Sequence, residues 1–206
     1  MAITNGLITS AEYGAYVGRA VPTGDRLAQW EMSITVASRV VERNVTGRQF
    51  HKPNPDEASA RYFDPSGAFV YIDDARTVTE VATCDDAGTY TAVDASTYQL
   101  TPVGGRDPLL GLVPYTKIRA LRYLWPQYTA REGVVRVTGT WGWTAVPDDV
   151  KQATCIITQD LLNDPDSTYG GLNVTDEGVV LAARIPARAL ILLARFVRYE
   201  RTMGMA

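Results

Sequence analysis

"VRVTGTWGWTAVPDDVKQAT", residues 135–154, changes its periodicity halfway along, and that change decides the fold. The first half sets Val135 and Val137 against polar neighbours, the period-two pattern of a strand with one buried face. In the second half Pro147 stands where a first helical residue often stands. Asp148 and Asp149 follow in the turn where the helix dipole favours negative charge. Val150, Ala153, Ile157 and Leu161 then recur by three and four, an amphipathic helical stripe. Trp141 and Trp143 flank Gly142 at the joint, two of the four tryptophans in the chain. In a regular strand they point to one face. Gly139 and Gly142 allow a bulge, which sends the two rings apart. The corner reads as a binding surface, the wall of an active site, or packing that fixes a strand-to-helix joint.

Upstream of the corner the chain reads as strand for some eighty residues. "ARYF", "AFVYID", "RTVTEVAT", "GTYTAV", "TYQLTP", "KIRALRYL" and "GVVRVTGTW" are rich in β-branched and aromatic residues. "DPSG", "DDAG" and "DAST" separate them as tight turns, because Asp, Pro and Gly each relieve a backbone constraint there. The antiparallel section therefore runs from Arg61 to Trp141. Within it "TPVGGRDPLLGLVPYT" combines turn residues with Leu109, Leu110, Leu112 and Val113, an unusual load for a solvated loop. Either the loop folds back on the core or its tip is covered by another chain.

Helices flank this section. Thr9-Ser10-Ala11-Glu12 has the form of a capping box and predicts a short helix to about Val17. Leu27, Trp30, Ile34, Ala37, Val41 and Val45 mark one face of a second helix, which Gly47 ends. The helix after Pro147 stops near "NDPDSTYGG", and a last one is expected from Pro186 to about Thr202. On it Arg188, Arg195 and Arg198 step by seven and three, close to one face. The fold class is α+β: N-terminal helices plus two C-terminal helices form a frame around an inserted antiparallel β-rich section. The expected organisation is a single domain over 1–206. It comprises N-terminal helices (1–50), a β-rich insertion (51–145), and C-terminal helices with a tail (146–206).

Hydrophobic content of 46% and charged content of 21% are those of an ordinary soluble protein, and 206 residues suffice for a sizeable core. The longest apolar run, "ALILLA" at Ala189–Ala194, is far short of the roughly 20 residues that cross a bilayer. The opening residues lack the basic-then-apolar order of a signal peptide. Cys84 and Cys155 are too far apart to suggest a metal pair or a disulfide framework, so a reducing compartment is expected. Charge is unevenly placed. Arg184 to Ala206 carries five arginines against one glutamate, leaving 15 basic and 22 acidic side chains elsewhere. An acidic body with a basic end argues against wrapping nucleic acid and for an end that meets an anionic surface.

Catalytic signatures are scarce. His51, the one histidine, sits in a proline-flanked loop with no second ligand at metal spacing. The sequence contains no nucleophile elbow, phosphate loop or dinucleotide fingerprint. Asp73-Asp74, Asp85-Asp86 and Asp148-Asp149 have structural readings as turn and helix-start residues. Asp164 and Asp166 alternate as in a calcium loop, but the twelfth position is Thr175 and the glycine is misplaced. No enzyme, cofactor or metal is expected. Tyr71, Tyr90, Tyr98, Trp125, Trp141 and Trp143 offer stacking surfaces for sugars or bases, yet strand aromatics ordinarily form cross-strand pairs.

Three stretches resemble the head-to-tail adaptor (head completion, or connector) proteins of long-tailed bacteriophages. "LITSAEYGAYVG" is similar to their capped first helix. "LAQWEMSITVASRVVERNVTGRQF" is similar to their second helix with its Thr-Gly-Arg-x-Phe ending, here Thr46, Gly47, Arg48 and Phe50. "VVRVTGTWGWTAVPDDVKQATCIITQDLL" resembles their strand, glycine-aromatic corner, Val-Pro and helix. The resemblance covers about the first 50 residues and Val134 to Leu162. It implies a non-enzymatic virion protein at the head-tail interface, assembled in the host cytoplasm. Such proteins form a homo-oligomeric ring, a dodecamer, beneath the portal protein. The ring extends the channel through which viral DNA passes without sequence-specific binding, and docks the next connector or stopper. On this reading Arg188, Arg195, Arg198 and Arg201 face the portal. Leu109, Leu110, Leu112 and Trp143 meet a neighbouring subunit, while Trp141 serves the internal core. Other readings are a carbohydrate-binding β module, a stopper or tail terminator, and a hydrolase built on scattered carboxylates.

Overall fold

A computed structural model describes residues 3, 5–50, 57–108, 110–126, 132–163, 172–174, 180–182 and 185–198. The chain divides into two compact units: Met1–His51 with Ala145–Ala206, and Lys52–Thr144. The α+β class is as expected, with helices flanking an antiparallel β section.

The first unit is built on helices. Helix α1 (Ser10–Val17) starts at the predicted capping box: Thr9 Oγ1 accepts from the Glu12 N–H (3.2 Å), and Glu12 accepts from the Thr9 N–H (2.7 Å). Helix α2 (Asp25–Arg39) continues as π-helical turns over Val40–Thr46 and ends at Gly47, whose φ of 64° is the left-handed conformation expected there. Thr46 marks the wider turn by donating its hydroxyl to the carbonyl of Val41, five residues back. Trp30, Ile34, Ala37 and Val41 of the predicted stripe are buried. Helix α3 (Asp148–Asn163) packs against α2 through Cys155 and against α4 (Ala187–Leu193).

The second unit is a seven-stranded antiparallel sheet. Its strands are β1 (Ser59–Phe63), β2 (Pro65–Ser66), β3 (Phe69–Cys84), β4 (Tyr90–Ala92), β5 (Tyr98–Thr101), β8 (Tyr115–Ala120) and β9 (Val135–Trp141), with the central path β1-β9-β3-β8-β5. Two-residue strands β6 (Arg106–Asp107) and β7 (Gly111–Leu112) form a separate hairpin. The two expected strands "AFVYID" and "RTVTEVAT" are one, β3. It pairs with β8 through Phe69–Ala75 and with β9 through Ala75–Thr83, with register shifts around Ala75 and Val78. These bulges let one strand serve both halves of the sheet. Val70, Ile72, Ala75 and Val81 of β3 join Ile118, Trp125, Val135 and Val137 in one buried cluster.

Two features differ from the expected layout. Strands β10 (Leu172–Val174) and β11 (Val180–Ala182) form a hairpin where no regular structure was predicted. The last helix stops at Leu193, followed by a 3-10 turn over Ala194–Phe196 and extended backbone at Val197. Arg198 therefore does not lie on a helical face with Arg188 and Arg195.

Candidate functional site

The reason for the early helix stop is the Thr-Gly-Arg-x-Phe ending of the π-turn. It receives the segment after α4 by three contacts. The Arg48 Nε donates to the Phe196 carbonyl (2.9 Å), and the Arg198 N–H donates to the Thr46 carbonyl (3.0 Å). The Phe50 ring meets Phe196 edge-on at 5.8 Å, and both rings are 1% exposed. Burying two phenylalanines contributes about 1.5–3 kcal/mol each, more than one further helical turn would. Glu42 completes the receptor: buried to 5% exposure, it accepts from the Phe50 N–H at 2.8 Å and pairs with Arg39 at 2.9 Å.

This docking fixes where the basic end begins. Arg188 and Arg195 are exposed and Arg198 is half-buried, while Arg201 lies outside the described residues. Between the two exposed arginines α4 also presents Leu190 (43% exposed) and Ile191 (75%). The outward face is thus cationic and apolar together, a composition that suits a protein partner better than water.

The leucine-rich loop does not fold back on the core. Its base is anchored by the Gly105 N–H on the Pro102 carbonyl and the Val113 N–H on the Gly105 carbonyl. Gly105 (φ +61°) lies against the Tyr115 ring. Beyond that base the β6–β7 hairpin projects with Leu112 70% exposed and Leu110 half-buried; Leu109 is outside the described residues. The Asp107 carboxylate accepts from the Leu110 N–H at 3.0 Å and shapes the tip.

The Trp-Gly-Trp corner requires a correction. Trp143 was expected to reach a neighbouring subunit, but it is 4% exposed. Its Nε1 donates to Asp74 Oδ2 at 3.1 Å, and the Gly142 N–H donates to the Asp74 carbonyl. Asp74 is itself 6% exposed, so the corner closes over a buried carboxylate. Trp141 packs on the core from the half-buried rim, with its Nε1 on the Ser59 carbonyl (3.0 Å) and the Arg61 guanidinium 4.5 Å from its ring. β9 ends at Trp141, and Gly142 takes a φ of 91° between the two rings. In the sequence Asp73-Asp74 reads as a pair of turn residues, whereas β3 runs straight through them and Asp74 is buried within it.

The candidate catalytic residues have the following places among the described residues. No group of three potential metal ligands occurs there. Burial pushes the Cys155 thiol up to about 11, with Glu12 adding to the rise against Lys151, so it is a thiol at neutral pH. Asp73 pairs with Arg61 (2.7 Å), Asp85 closes a turn on the Thr89 N–H, and Asp148 and Asp149 open α3. His51, Asp164 and Asp166 lie outside the described residues. No described helix is long and apolar enough to cross a membrane.

Comparison with solved structures shows where this arrangement recurs. A chain from the neck of an empty gene transfer agent (GTA) particle, computed with C6 symmetry, superposes with a TM-score of 0.54. The identity is 19%, over 96% of this chain and 92% of that one. A chain from the neck of the native GTA particle, computed with C12 symmetry, gives a TM-score of 0.53 at 19% identity and the same coverage. At that identity the likeness is one of fold. No family model and no curated protein matches the chain.

Proposed function

We propose that this chain is a non-enzymatic structural protein of a phage-like neck, a head-to-tail adaptor that forms a ring beneath a portal protein. The observation that carries the reading is the fold it shares with GTA neck chains over nearly its whole length. In this reading the chain assembles as a homo-oligomeric ring, a dodecamer, located in the virion at the head-tail interface. Viral DNA passes through the ring without sequence-specific contacts, and the far side docks a stopper or other connector. The acidic balance of the body favours passage, because like charge keeps the duplex from adhering.

Two surfaces support the assignment. The cationic surface of α4 and the 3-10 turn after it, with Arg188 and Arg195 exposed and Arg198 and Arg201 following, is assigned to the portal. The projecting hairpin, with Leu110 and Leu112, is assigned to the neighbouring subunit together with Leu109. Trp143 is left out of that interface because its ring is spent on Asp74. A carbohydrate-binding module would need exposed tryptophans, whereas Trp30, Trp125 and Trp143 are buried. The test is attachment of purified protein to portal-bearing heads. Arg188→Glu with Arg195→Glu is expected to abolish it, and Leu112→Asp to prevent ring formation on the portal. Unchanged attachment of both variants overturns the reading.

A further inference from the structure

The helical unit contains a cleft of about 650 Å³ between the end of α1, the start of α2 and the end of α3. Its size is within the range of ligand-binding sites. Tyr13 and Trp30, packed edge-on at 4.8 Å and buried, form its floor, and Tyr16 and Leu162 stand more exposed beside them. The rest is polar. Arg26 and Gln29 stand three apart on α2, and Gln159 and Asn163 four apart on α3, so each pair shares a helix face and both pairs line the cleft. Arg19, just past the left-handed Gly18 that ends α1, supplies a second guanidinium.

All five of these polar side chains are exposed, and among the described residues none holds a side-chain partner. Neither guanidinium has a carboxylate partner among the described residues, and no carboxylate lines the cleft. The amides of Gln29, Gln159 and Asn163 likewise hold no hydrogen bond there. Elsewhere in the same unit comparable groups are used: Arg39 pairs with Glu42, Arg48 with the Phe196 carbonyl, and Lys151 with Glu12. Two guanidinium groups with no carboxylate partner among the described residues therefore face one cleft, which gives it a positive charge open to an anionic partner.

We infer that this cleft binds an extended, acidic polypeptide segment of a partner protein. The guanidinium groups select the charge, since their planar forks pair with carboxylates. The amides select the backbone. Each side-chain amide offers both a donor and an acceptor, matching the alternating N–H and C=O of an extended chain. A phosphate group or free carboxylate offers acceptors alone and leaves the three amide oxygens unmatched. Tyr16, 39% exposed, and the half-buried Leu162 offer the surface for an apolar side chain between acidic ones. The cleft shares no residue with the surfaces assigned to the portal and the neighbouring subunit, and the inference does not rest on the neck reading.

The test uses the full chain and a fluorescein-labelled, N-acetylated peptide of alternating acidic and leucine residues, with polarisation as readout. Binding is expected, weakened at least tenfold by Arg19→Glu with Arg26→Glu and severalfold by Gln29→Ala with Gln159→Ala. The same peptide with Gln and Asn in place of its acids is expected to bind at least tenfold more weakly. Arg19→Gln with Arg26→Gln removes the charge without reversing it, and circular dichroism checks that each variant keeps its helices. A wild-type chain that does not bind the peptide overturns the inference. So does charge-reversed protein that binds as well as wild type, or displacement by inorganic phosphate or a thymidine oligonucleotide at concentrations below the peptide's own. None of these outcomes bears on attachment to heads.

Discussion

The two units treat buried polar groups in opposite ways. The helical unit buries Ser38, Glu42, Thr46, Thr154 and Thr158. Four of the five are hydroxyls bonded to the carbonyl four or five residues back, and Ser38 Oγ also accepts from the Leu7 N–H. Two of the five also tie separate segments together, Ser38 to the Leu7 N–H and Glu42 to the Phe50 N–H. The β unit buries one charged group among its described residues, Asp74, and packs the remainder as hydrocarbon and aromatic rings. Its exactness comes from how closely strands approach. A helical frame that docks segments by polar contacts tolerates changes of volume better than changes of partner, and a bulged sheet behaves the other way round.

The sharpest way to break the comparison is at Gly139. A Cβ there would lie 2.0 Å from the Thr77 carbonyl oxygen, in the middle of the β3–β9 pairing. Backbone cannot rotate away as a side chain can, so Gly139→Ala forces the strands apart and costs about 3 kcal/mol or more. Urea denaturation followed by tryptophan fluorescence should show the loss. The mirror test in the helical unit is Glu42→Ala, which removes the carboxylate that accepts from the Phe50 N–H and pairs with Arg39. About 2–3 kcal/mol is expected. The variant also loosens the Phe196–Arg198 segment, which limited proteolysis near the C-terminus would report. Equal sensitivity of both units to added volume would remove the contrast.

Much of this was legible in the sequence, for identifiable reasons. Thr9 with Glu12, the stripe from Trp30 to Val41 and Gly47 are local signals whose meaning does not depend on distant residues. The strand pattern before the corner and the helix after it are local too. What escaped is what long-range contacts set. Trp141 and Trp143 look alike in sequence, and the bond that the second makes to Asp74 is with a residue far upstream. Arg198 continues a helical spacing that the docking of Phe196 overrides. Gly139 was readable as a bulge, but the carbonyl it accommodates belongs to β3. The cleft assembles Arg19 and Gln159 from opposite ends of the chain, so no window of sequence contains it. The β10–β11 hairpin had a usable signal, two β-branched stretches around "TDEG".

The corner offers a finer test. Trp143→Phe keeps most of the ring and removes the donor to Asp74 Oδ2. A buried carboxylate then loses a charge-assisted bond, at a cost of about 1.5–3 kcal/mol. Trp141→Phe loses only the bond to the Ser59 carbonyl at the half-buried rim, and about 1 kcal/mol is expected. Chemical denaturation of the pair orders the two rings directly. A larger loss at Trp141 would mean that the rim, not the buried carboxylate, holds the corner.

The smallest effect expected is a pH dependence in the helical unit. Burial raises the Glu12 carboxyl, but the hydrogen bonds from Lys151 and Thr9 outweigh it and hold the group below its ordinary value of 4.5. Lys151 is raised in turn, chiefly by its hydrogen bond to Glu12 at 2.6 Å. A carboxyl depressed on folding adds stability that is fully present above its unfolded value and is lost as pH falls through the folded one. Wild type should therefore lead Glu12→Gln in stability at pH 6–7, and the gap should close as pH drops below about 4. Both side chains are roughly two-fifths exposed, so solvent screening keeps the gap within about 1 kcal/mol. Thr9→Ala leaves the Lys151 pair but removes the cap, costing about 1 kcal/mol. Most of that loss should persist at low pH, because the hydroxyl accepts the Glu12 N–H whatever the carboxyl's charge. If both variants lose their difference from wild type together on acidification, cap and ion pair act as one unit at the start of α1.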